Sequence, residues 1–272
     1  MLIRSQIPKS IWRSSSIRLF SSSSLLRSST PSSTNIKQSE SIDKQSPEYK
    51  EFQEFQKWKN LQSQSTLDKP KRIVVAITGA TGVVLGVKIL EMLQKLGVET
   101  HVIISKWGVG TMKFETDYTL KDITRLSTVH YLSKDVSAPI SSGSFHHDGM
   151  IVVPCSMKTL SAIRTGYTED LIVRAADVTI KEKRRLLLCV RETPLSSIHL
   201  ENMLSLSNKD VIIFPPVPAF YTRPKSIDDI VQQTSGRILD FFGLDTSNFP
   251  RWNGMTNPNV VEDKDEGSFE KE

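Results

Sequence analysis

Short apolar segments alternate with longer amphipathic ones along most of the chain. The short segments are rich in Val, Ile and Leu and predict strands at 72–78, 100–105, 149–153, 186–190 and 211–214. The longer segments carry apolar residues at helical spacing and predict helices at 83–96, 107–113, 119–127, 157–165, 170–183, 195–206 and 226–242. Apolar strands that alternate with amphipathic helices are typical of a parallel sheet covered on both faces. The pattern therefore predicts one α/β domain with three layers, a parallel sheet flanked by helices.

The first predicted strand runs into a glycine-rich turn and then a helix, in the sequence RIVVAITGATGVVLG (72–86). Such a turn leaves backbone N–H groups at a helix start, where the helix dipole favours a phosphate. The glycines are spaced G-x-x-G-x-x-x-G, and the second strand ends in Ser105 where a dinucleotide site needs an acid for the ribose. The motif disfavours NAD and fits a mononucleotide such as FMN, although a tight turn without a ligand satisfies it equally well.

The other predicted strands also end in polar or turn-forming residues. The sequences that follow them read SKW (105–107), PCSMKT (154–159), RETP (191–194) and PPVPAFY (215–221). The carboxyl ends of parallel strands share one edge of the sheet, and ligands of such sheets bind there. We therefore expect these segments to line one polar crevice.

Two of these segments carry side chains suited to chemistry. Ser156 and Thr159, at a helix start, either cap the helix or bind a phosphate or the edge of a flavin ring. Arg191 and Glu192, at a strand end, form either an exposed ion pair or a functional pair. In the functional interpretation the planar guanidinium binds a phosphate and the carboxylate moves a proton.

Other candidate residues favour structural interpretations. Tyr221 reads as a packed ring or a donor to phosphate, and Arg237 as an ordinary surface charge on the last helix. The trio His146-His147-Asp148 has no second ligand pair spaced to complete a metal site, so the sequence predicts no metal. Cys155 and Cys189 lie in apolar segments, which indicates buried thiols in a reducing compartment, although Cys155 also follows a strand end where a thiol can react.

Composition divides the 272 residues into parts. Residues 1–35 are rich in Ser and Arg and lack acids, which is typical of a mitochondrial transit peptide, although a low-complexity tail is also consistent. Residues 36–70 predict a polar linker or arm, 71–253 the domain, and 254–272 an acidic disordered tail. Residues 1–39 hold six Lys or Arg and no acid, which accounts for the net charge of +5 and gives no argument for nucleic acid. No apolar run approaches the roughly 20 residues of a membrane span.

Together the motifs resemble the flavin prenyltransferase family, long described as phenylacrylic acid decarboxylases, and in particular its fungal mitochondrial members. The matching segments are ITGATG (77–82), ETD (115–117), SSGSF (141–145), PCSMKTLS (154–161), RAADV (174–178), KEKRR (181–185), RETPLSSIHLENM (191–203), PPVPAFYTRP (215–224) and PRW (250–252). They extend from about residue 70 to 253, which is essentially the whole globular part.

The resemblance implies a flavodoxin-like, Rossmann-like sheet in a homododecamer that binds FMN between subunits and requires no metal. The residues that it places against FMN are Gly79, Ala80, Thr81, Ser105, Ser156, Met157, Lys158, Thr159 and Arg191. It places dimethylallyl phosphate against Tyr221, Arg237 and Lys181, and it assigns catalytic roles to Glu192, Glu115 and Lys181. Many bacterial relatives have Ser in place of Thr81, a change that keeps the hydroxyl.

The implied reaction moves a dimethylallyl group from dimethylallyl phosphate to N5 and C6 of reduced FMN, and the prenylated FMN serves a partner decarboxylase. Fixed cations suit the leaving phosphate, and an aromatic wall such as Trp107 suits an allylic cation. The resemblance and the leader together imply the mitochondrial matrix. Two alternatives remain open, an FMN-dependent decarboxylase of phenylacrylic (cinnamic) acids and a non-catalytic FMN carrier.

Overall fold

The computed structural model describes residues 47, 49–50, 52–57, 59, 70–247, 249–252 and 254. The predicted transit peptide at 1–35 lies outside the described residues, as does the predicted acidic tail apart from residue 254. The chain divides into two units, Met1–Lys69 and Pro70–Glu272. In the first unit the described residues between 47 and 59 are helical. The second unit contains the sheet, and its predicted boundaries at 71 and 253 stay predictions.

Six parallel strands form one sheet in the described part of the second unit. The strands are β1 (Arg72–Ile77), β2 (Glu99–Ile104), β3 (Val129–Leu132), β4 (Gly149–Cys155), β5 (Arg185–Val190) and β6 (Ile212–Ile213). The helices are α1 (Val83–Lys95), α2 (Lys106–Glu115), α3 (Leu120–Leu126), α4 (Met157–Thr165), α5 (Leu171–Lys181), α6 (Ser197–Ser207) and α7 (Ile227–Asp240). Single 3₁₀ turns occur at Pro139–Ser141 and Phe220–Thr222. The predicted α/β fold with a parallel sheet flanked by helices is confirmed.

The strand order is β3-β2-β1-β4-β5-β6, so the direction of winding reverses between β1 and β4. The sequence did not predict β3, whose four residues Val-His-Tyr-Leu at the sheet edge are only partly buried or exposed. A short edge strand has no continuous apolar run to mark it. The predicted strand at 211–214 is present, but only two of its residues pair.

Alternate side chains of the strands supply two separate halves of the core. On β1, Ile73, Val75 and Ile77 pack with α1, α2, α3 and α7. Val74 and Ala76 face the other side and pack with α4, α5 and α6. Full burial of each large aliphatic side chain stabilises the fold by about 1.5–3 kcal/mol. Because successive side chains of a strand point to opposite faces, the same strands pack against both helical layers.

A glycine allows α1 to lie directly on the sheet. A Cβ atom at Gly86 would lie 2.7 Å from the Val153 carbonyl oxygen and 3.2 Å from the Ile77 side chain. The third glycine of the first motif therefore serves close packing of helix on strand. Among the described residues, no helix combines the length and the apolar character needed to cross a bilayer.

The amino edge of the sheet buries a histidine just before β4. His147 is buried, and its Nδ1 atom lies 3.1 Å from the Gly149 carbonyl oxygen. Burial, together with the nearby positive charge of Arg184, lowers the pKa of His147 to about 4. Arg184 is itself held in place by the carbonyl oxygens of Phe145 and Gly143, at 2.7 Å each. The folded protein therefore keeps His147 neutral at pH values at which an unfolded chain protonates it.

This arrangement predicts a loss of stability in mild acid. The unfolded histidine has a pKa near 6.5, so its contribution is complete above about pH 6.5 and is lost as the pH falls towards 4. We expect the free energy of unfolding, measured by urea denaturation between pH 7.5 and 4.5, to fall less steeply in His147→Gln than in the wild type. His146→Gln, which changes the exposed neighbour, should keep the wild-type slope. Equal slopes in all three proteins would contradict the assignment.

Candidate active site

Hydrogen bonds tie the carboxyl ends of β1 and β4 together where the winding reverses. The buried Thr78 hydroxyl donates to the Pro154 carbonyl oxygen at 2.7 Å and accepts from the Ser156 N–H at 2.9 Å. Gly79 and Ser156, the next residues on each chain segment, are thereby fixed side by side. In open α/β sheets the crevice at such a reversal is the usual ligand site.

A cavity of about 210 Å³ lies at this point of the sheet. Its lining consists of Thr78, Gly79, Ser105, Trp107, Ser156, Lys158, Thr159, Ala162, Tyr167, Glu169, Asp170, Ile172 and Val173. Five of the residues predicted to bind FMN are among them, from three different strand ends. The expected polar crevice is therefore present for the ends of β1, β2 and β4.

The N-termini of two serine-capped helices meet the cavity, and so does that of α5, which Asp170 caps. Ser105 caps α2 by accepting from the Gly108 N–H at 2.9 Å, and Ser156 caps α4 by accepting from the Thr159 N–H at 3.4 Å. Capping and ligand binding are compatible, because a hydroxyl that accepts one backbone hydrogen bond can still donate to a ligand. Two helix dipoles and the Lys158 ammonium group favour a phosphate at the serine-capped end of the cavity, whereas the Glu169 and Asp170 carboxylates line another part of it.

An exposed indole forms one wall of the cavity. Trp107 is 72% exposed, and a Cβ atom at Gly79 would lie 2.5 Å from the Trp107 Cβ. Any larger residue at position 79 would push α2 away from the glycine turn. The first glycine therefore brings a large aromatic surface against the strand end, where a planar ligand can pack.

The turn Gly79–Gly82 does not present all of its N–H groups to the cavity. The N–H groups of Gly82 and Val83 both donate to Glu115 Oε2, at 2.9 Å each. Glu115, at the end of α2, thus supplies the negative charge that the α1 N-terminus favours. Ala80 and Thr81 remain at the surface of the turn, and Met157 is the first residue of α4.

A second cavity, of about 530 Å³, contains the predicted prenyl-phosphate residues Tyr221 and Arg237. The Tyr221 ring meets Trp252 edge to face, with centroids 5.6 Å apart. Arg237 Nη1 donates to Asp240 Oδ2 at 2.7 Å. The cavity therefore combines a phenol, a guanidinium and aromatic carbon, the groups that a phosphorylated hydrocarbon requires. Its lining shares no residue with that of the first cavity.

The structure separates Lys181 from the other predicted site residues of the same chain. Lys181 ends α5 just before β5 starts, whereas Arg191 and Glu192 follow the other end of β5. Six strand residues span on the order of 20 Å, so Lys181 lies at the amino edge and Arg191 at the carboxyl edge. Lys181 pairs there with Glu182 at 2.5 Å, and Glu192 accepts from the Thr193 N–H at 3.0 Å.

Neither cysteine is placed to react. Cys155 and Cys189 are both buried free thiols. Burial raises the pKa of Cys155 strongly and that of Cys189 to about 12, so the reactive thiolate is disfavoured. Within the part of the chain that the structure describes, no three His, Cys, Asp or Glu residues group in a way that could hold a metal ion.

The chain matches a known protein family and individual proteins of known name. The family described as Flavoprotein matches residues 61–239. The mitochondrial flavin prenyltransferase PAD1 of Saccharomyces cerevisiae is 68% identical over 187 residues, which cover 69% of this chain and 77% of the yeast protein. The chain belongs to the flavin prenyltransferase family.

Two solved structures agree with that assignment and with the fold. AnUbiX (PadA1), crystallised in complex with FMN and dimethylallyl pyrophosphate, is 56% identical with a TM-score of 0.68 over 68% of this chain and 99% of its own. A dodecameric FMN-dependent UbiX-like decarboxylase from Escherichia coli O157:H7 is 51% identical with a TM-score of 0.66 over 67% of this chain and 100% of its own. The family resemblance and the fold class inferred from the motifs are confirmed.

Sequence reasoning missed several residues that line the two cavities. Thr78 is a hydroxyl at the end of an otherwise apolar strand, and that contrast was the available signal. Glu169 lies between two predicted helices and Asp170 at the start of the second, and neither carried a recognisable motif. Gln233 and Thr234 are buried polar residues on α7, which a helical pattern of apolar positions does not single out.

The Glu115 carboxylate provides a test of the local geometry. Glu115→Gln removes its charge from two backbone hydrogen bonds at the α1 N-terminus, and we expect a loss of about 1 kcal/mol in the free energy of unfolding. Urea denaturation of the ligand-free protein measures it. Asp117→Asn makes the same charge change at an exposed neighbour and should be close to neutral. Equal losses in the two variants would show that Glu115 does not stabilise this helix.

Proposed function

We propose that this protein transfers a dimethylallyl group from dimethylallyl phosphate to N5 and C6 of reduced FMN, with release of phosphate. The observation that carries the proposal is the pair of cavities in a chain of this family. One has two helix N-termini, hydroxyls and a lysine beside an exposed indole; the other has Tyr221 and Arg237 beside aromatic carbon. These two sets of groups suit the two phosphorylated molecules of the reaction.

The first cavity fits FMN in its donor set. Ser105, Ser156, Thr159 and Lys158 provide donors around two helix N-termini, and Gly79 leaves space beside Trp107 that a side chain would fill. FMN supplies the nucleophilic nitrogen and carbon that accept the prenyl group. The protein binds and orients the flavin there, and the Trp107 indole keeps water from one side of it.

Leaving-group departure is the step at which fixed charge matters most. Negative charge grows on the phosphate oxygen as the allylic bond breaks, and donors held in place before the reaction stabilise that charge without reorganising. Tyr221, Arg237, Lys181 and Arg191 are the proposed donors. Glu192 is the proposed proton acceptor as the new ring closes, with Glu115 as a second carboxylate of the site.

We infer that neighbouring copies complete this site. Lys181 and Arg191 lie at opposite edges of one sheet, so both reach the same small ligand only if one of them comes from another subunit. Helix α6 exposes Leu200 and Leu204, which lie one turn apart on the same face, and also Ile198 elsewhere on its surface; exposed apolar side chains of this kind suit a subunit interface. The related Escherichia coli structure is dodecameric, and a homododecamer is the assembly proposed for this chain.

The proposed product, prenylated FMN, would serve a partner decarboxylase. The yeast relative is named as mitochondrial, and we propose that this protein also acts in mitochondria, in the matrix, after residues 1–35 have directed it there. The competing hypothesis is direct decarboxylation of a phenylacrylic acid, since one relative is described as an FMN-dependent decarboxylase. An aromatic acid has little need for the Tyr221 and Arg237 cavity, which favours the prenyl transfer.

The decisive experiment is anaerobic incubation of the purified protein with reduced FMN and dimethylallyl phosphate, followed by mass spectrometry of the flavin. We expect the flavin mass to increase by one prenyl unit and inorganic phosphate to be released. Release of CO₂ from cinnamate by the protein and FMN alone would instead support the decarboxylase. Tight FMN binding with neither reaction would identify a carrier.

A substitution of Glu192 tests its proposed role as proton acceptor. Glu192→Gln keeps the size of the side chain but removes its basicity, so we expect single-turnover product formation to fall about 100-fold or more. The dissociation constant of FMN should stay within about twofold, because the change leaves the first cavity's lining intact. Glu201→Gln, an exposed glutamate on α6, is the matched control. An unchanged rate in Glu192→Gln would remove this residue from the mechanism.

A further inference from the structure

The chain after α7 returns along that helix and forms one wall of the Tyr221 cavity. Phe249 packs so closely on Gly236 that a Cβ atom there would overlap its ring. The Arg251 guanidinium lies 4.9 Å from the centre of the Phe249 ring. Trp252, the next residue, meets Tyr221 edge to face. The position of this wall therefore depends on how residues 249–252 are attached to α7.

One carboxylate provides that attachment. Asp240, the last residue of α7, accepts from Arg251 Nη1 at 2.9 Å and from Arg251 Nη2 at 2.8 Å. Such paired contacts between a guanidinium and both carboxylate oxygens are among the strongest ion pairs in proteins. Hydrogen bonds from Arg251 and then from Arg237 hold the pKa of Asp240 below its usual range, so it is a carboxylate at neutral pH.

The same carboxylate also holds the proposed phosphate ligand. Arg237 Nη1 donates to Asp240 Oδ2 at 2.7 Å. Within the described residues, Asp240 is the only hydrogen-bond or ion-pair partner recorded for Arg237. The Asp240 side chain is 18% exposed, whereas that of Arg237 is 45% exposed. Arg237 is thus anchored through one nitrogen at a largely buried carboxylate while the rest of its guanidinium remains accessible at the cavity.

The charges around Asp240 leave the cavity attractive to an anion. Two guanidinium groups share one largely buried carboxylate, so the cluster keeps a positive charge near the cavity. Asp245 offsets part of it by accepting from Arg251 Nη2 at 3.0 Å, but its side chain is 67% exposed and screened by solvent. Asp240 and Asp245 therefore bind the same arginine in very different environments, and only Asp240 also binds Arg237.

We propose that Asp240 is a positioning residue of the prenyl-phosphate site, which orients Arg237 for the phosphate and fastens the Trp252 wall through Arg251. The inference rests on the proposed function, in which Tyr221 and Arg237 bind dimethylallyl phosphate. A guanidinium held in its binding orientation before the ligand arrives avoids the cost of ordering a long side chain on binding. Asp240 thereby acts on affinity for the phosphate through another residue, without touching it.

The test compares two substitutions that make the same chemical change. We expect Asp240→Asn to raise the KM for dimethylallyl phosphate about tenfold, the size of effect expected when a charge-assisted hydrogen bond is lost. The dissociation constant of FMN should stay within about twofold, which distinguishes positioning from general damage to the fold. Asp245→Asn, which also touches Arg251, should leave both values within about twofold of the wild type.

A double-mutant comparison decides whether Asp240 acts through Arg237. In an Arg237→Ala background only the contribution through Arg251 remains, so Asp240→Asn should raise the KM by about threefold or less; a further tenfold rise would overturn the proposal. If Asp240→Asn does not fold, Asp240→Glu moves the carboxylate by one methylene and should also raise the KM, and an unchanged value would count against the proposal. A wild-type enzyme that transfers no prenyl group would overturn the proposed function and this inference with it. Normal turnover with an unaffected Asp240→Asn overturns the inference alone.

Discussion

The contact between the ends of β1 and β4 is the constraint on which the site depends. From β1 the chain adds strands towards one edge of the sheet, and from β4 it adds them towards the other edge. The loops that leave β1 and β4 therefore diverge and open a crevice. Thr78 closes the bottom of that crevice by bonding to both Pro154 and Ser156. Because a buried hydroxyl with both of its hydrogen bonds made has little freedom, Gly79 and Ser156 keep a fixed separation. The helix starts that surround the cavity are positioned by these strand ends.

Around this crevice, side chains of the protein itself accept hydrogen bonds from the backbone N–H groups at four helix N-termini. The acceptors are Glu115 at α1, Ser105 at α2, Ser156 at α4 and Asp170 at α5. The chemical character of each cap matters for ligand binding. Serine caps leave a hydroxyl that can also donate to an anion, whereas carboxylate caps repel one. The two serine-capped helices are therefore the ones that favour a phosphate at the first cavity.

The sequence allowed the sheet, its helices and the residues at three strand ends to be predicted, because each depends on local pattern. Repeating apolar positions reveal β1 and α1, and a glycine turn followed by a helix marks Gly79. The four-residue strand β3 has no such pattern and was missed. The predicted helix at 170–183 and strand at 186–190 place Lys181 at the amino edge of the sheet, but local pattern does not show how a ligand at the carboxyl edge could reach it, because that depends on neighbouring copies. The role of Asp240 could not be predicted from local pattern, because it depends on hydrogen bonds from two arginines, one of which lies eleven residues further along the chain.

The placement of Lys181 has a consequence for how such an enzyme tolerates change. If the site is shared between copies, the surfaces through which copies meet belong to the catalytic apparatus as fully as the residues that touch the ligands. A substitution of Ile198 or Leu204 on α6 would then resemble a chemical lesion, although neither side chain meets a substrate. In such an assembly, substitutions would be constrained by geometry between molecules as well as within one, and a change on one contact face would need a compensating change on the facing copy.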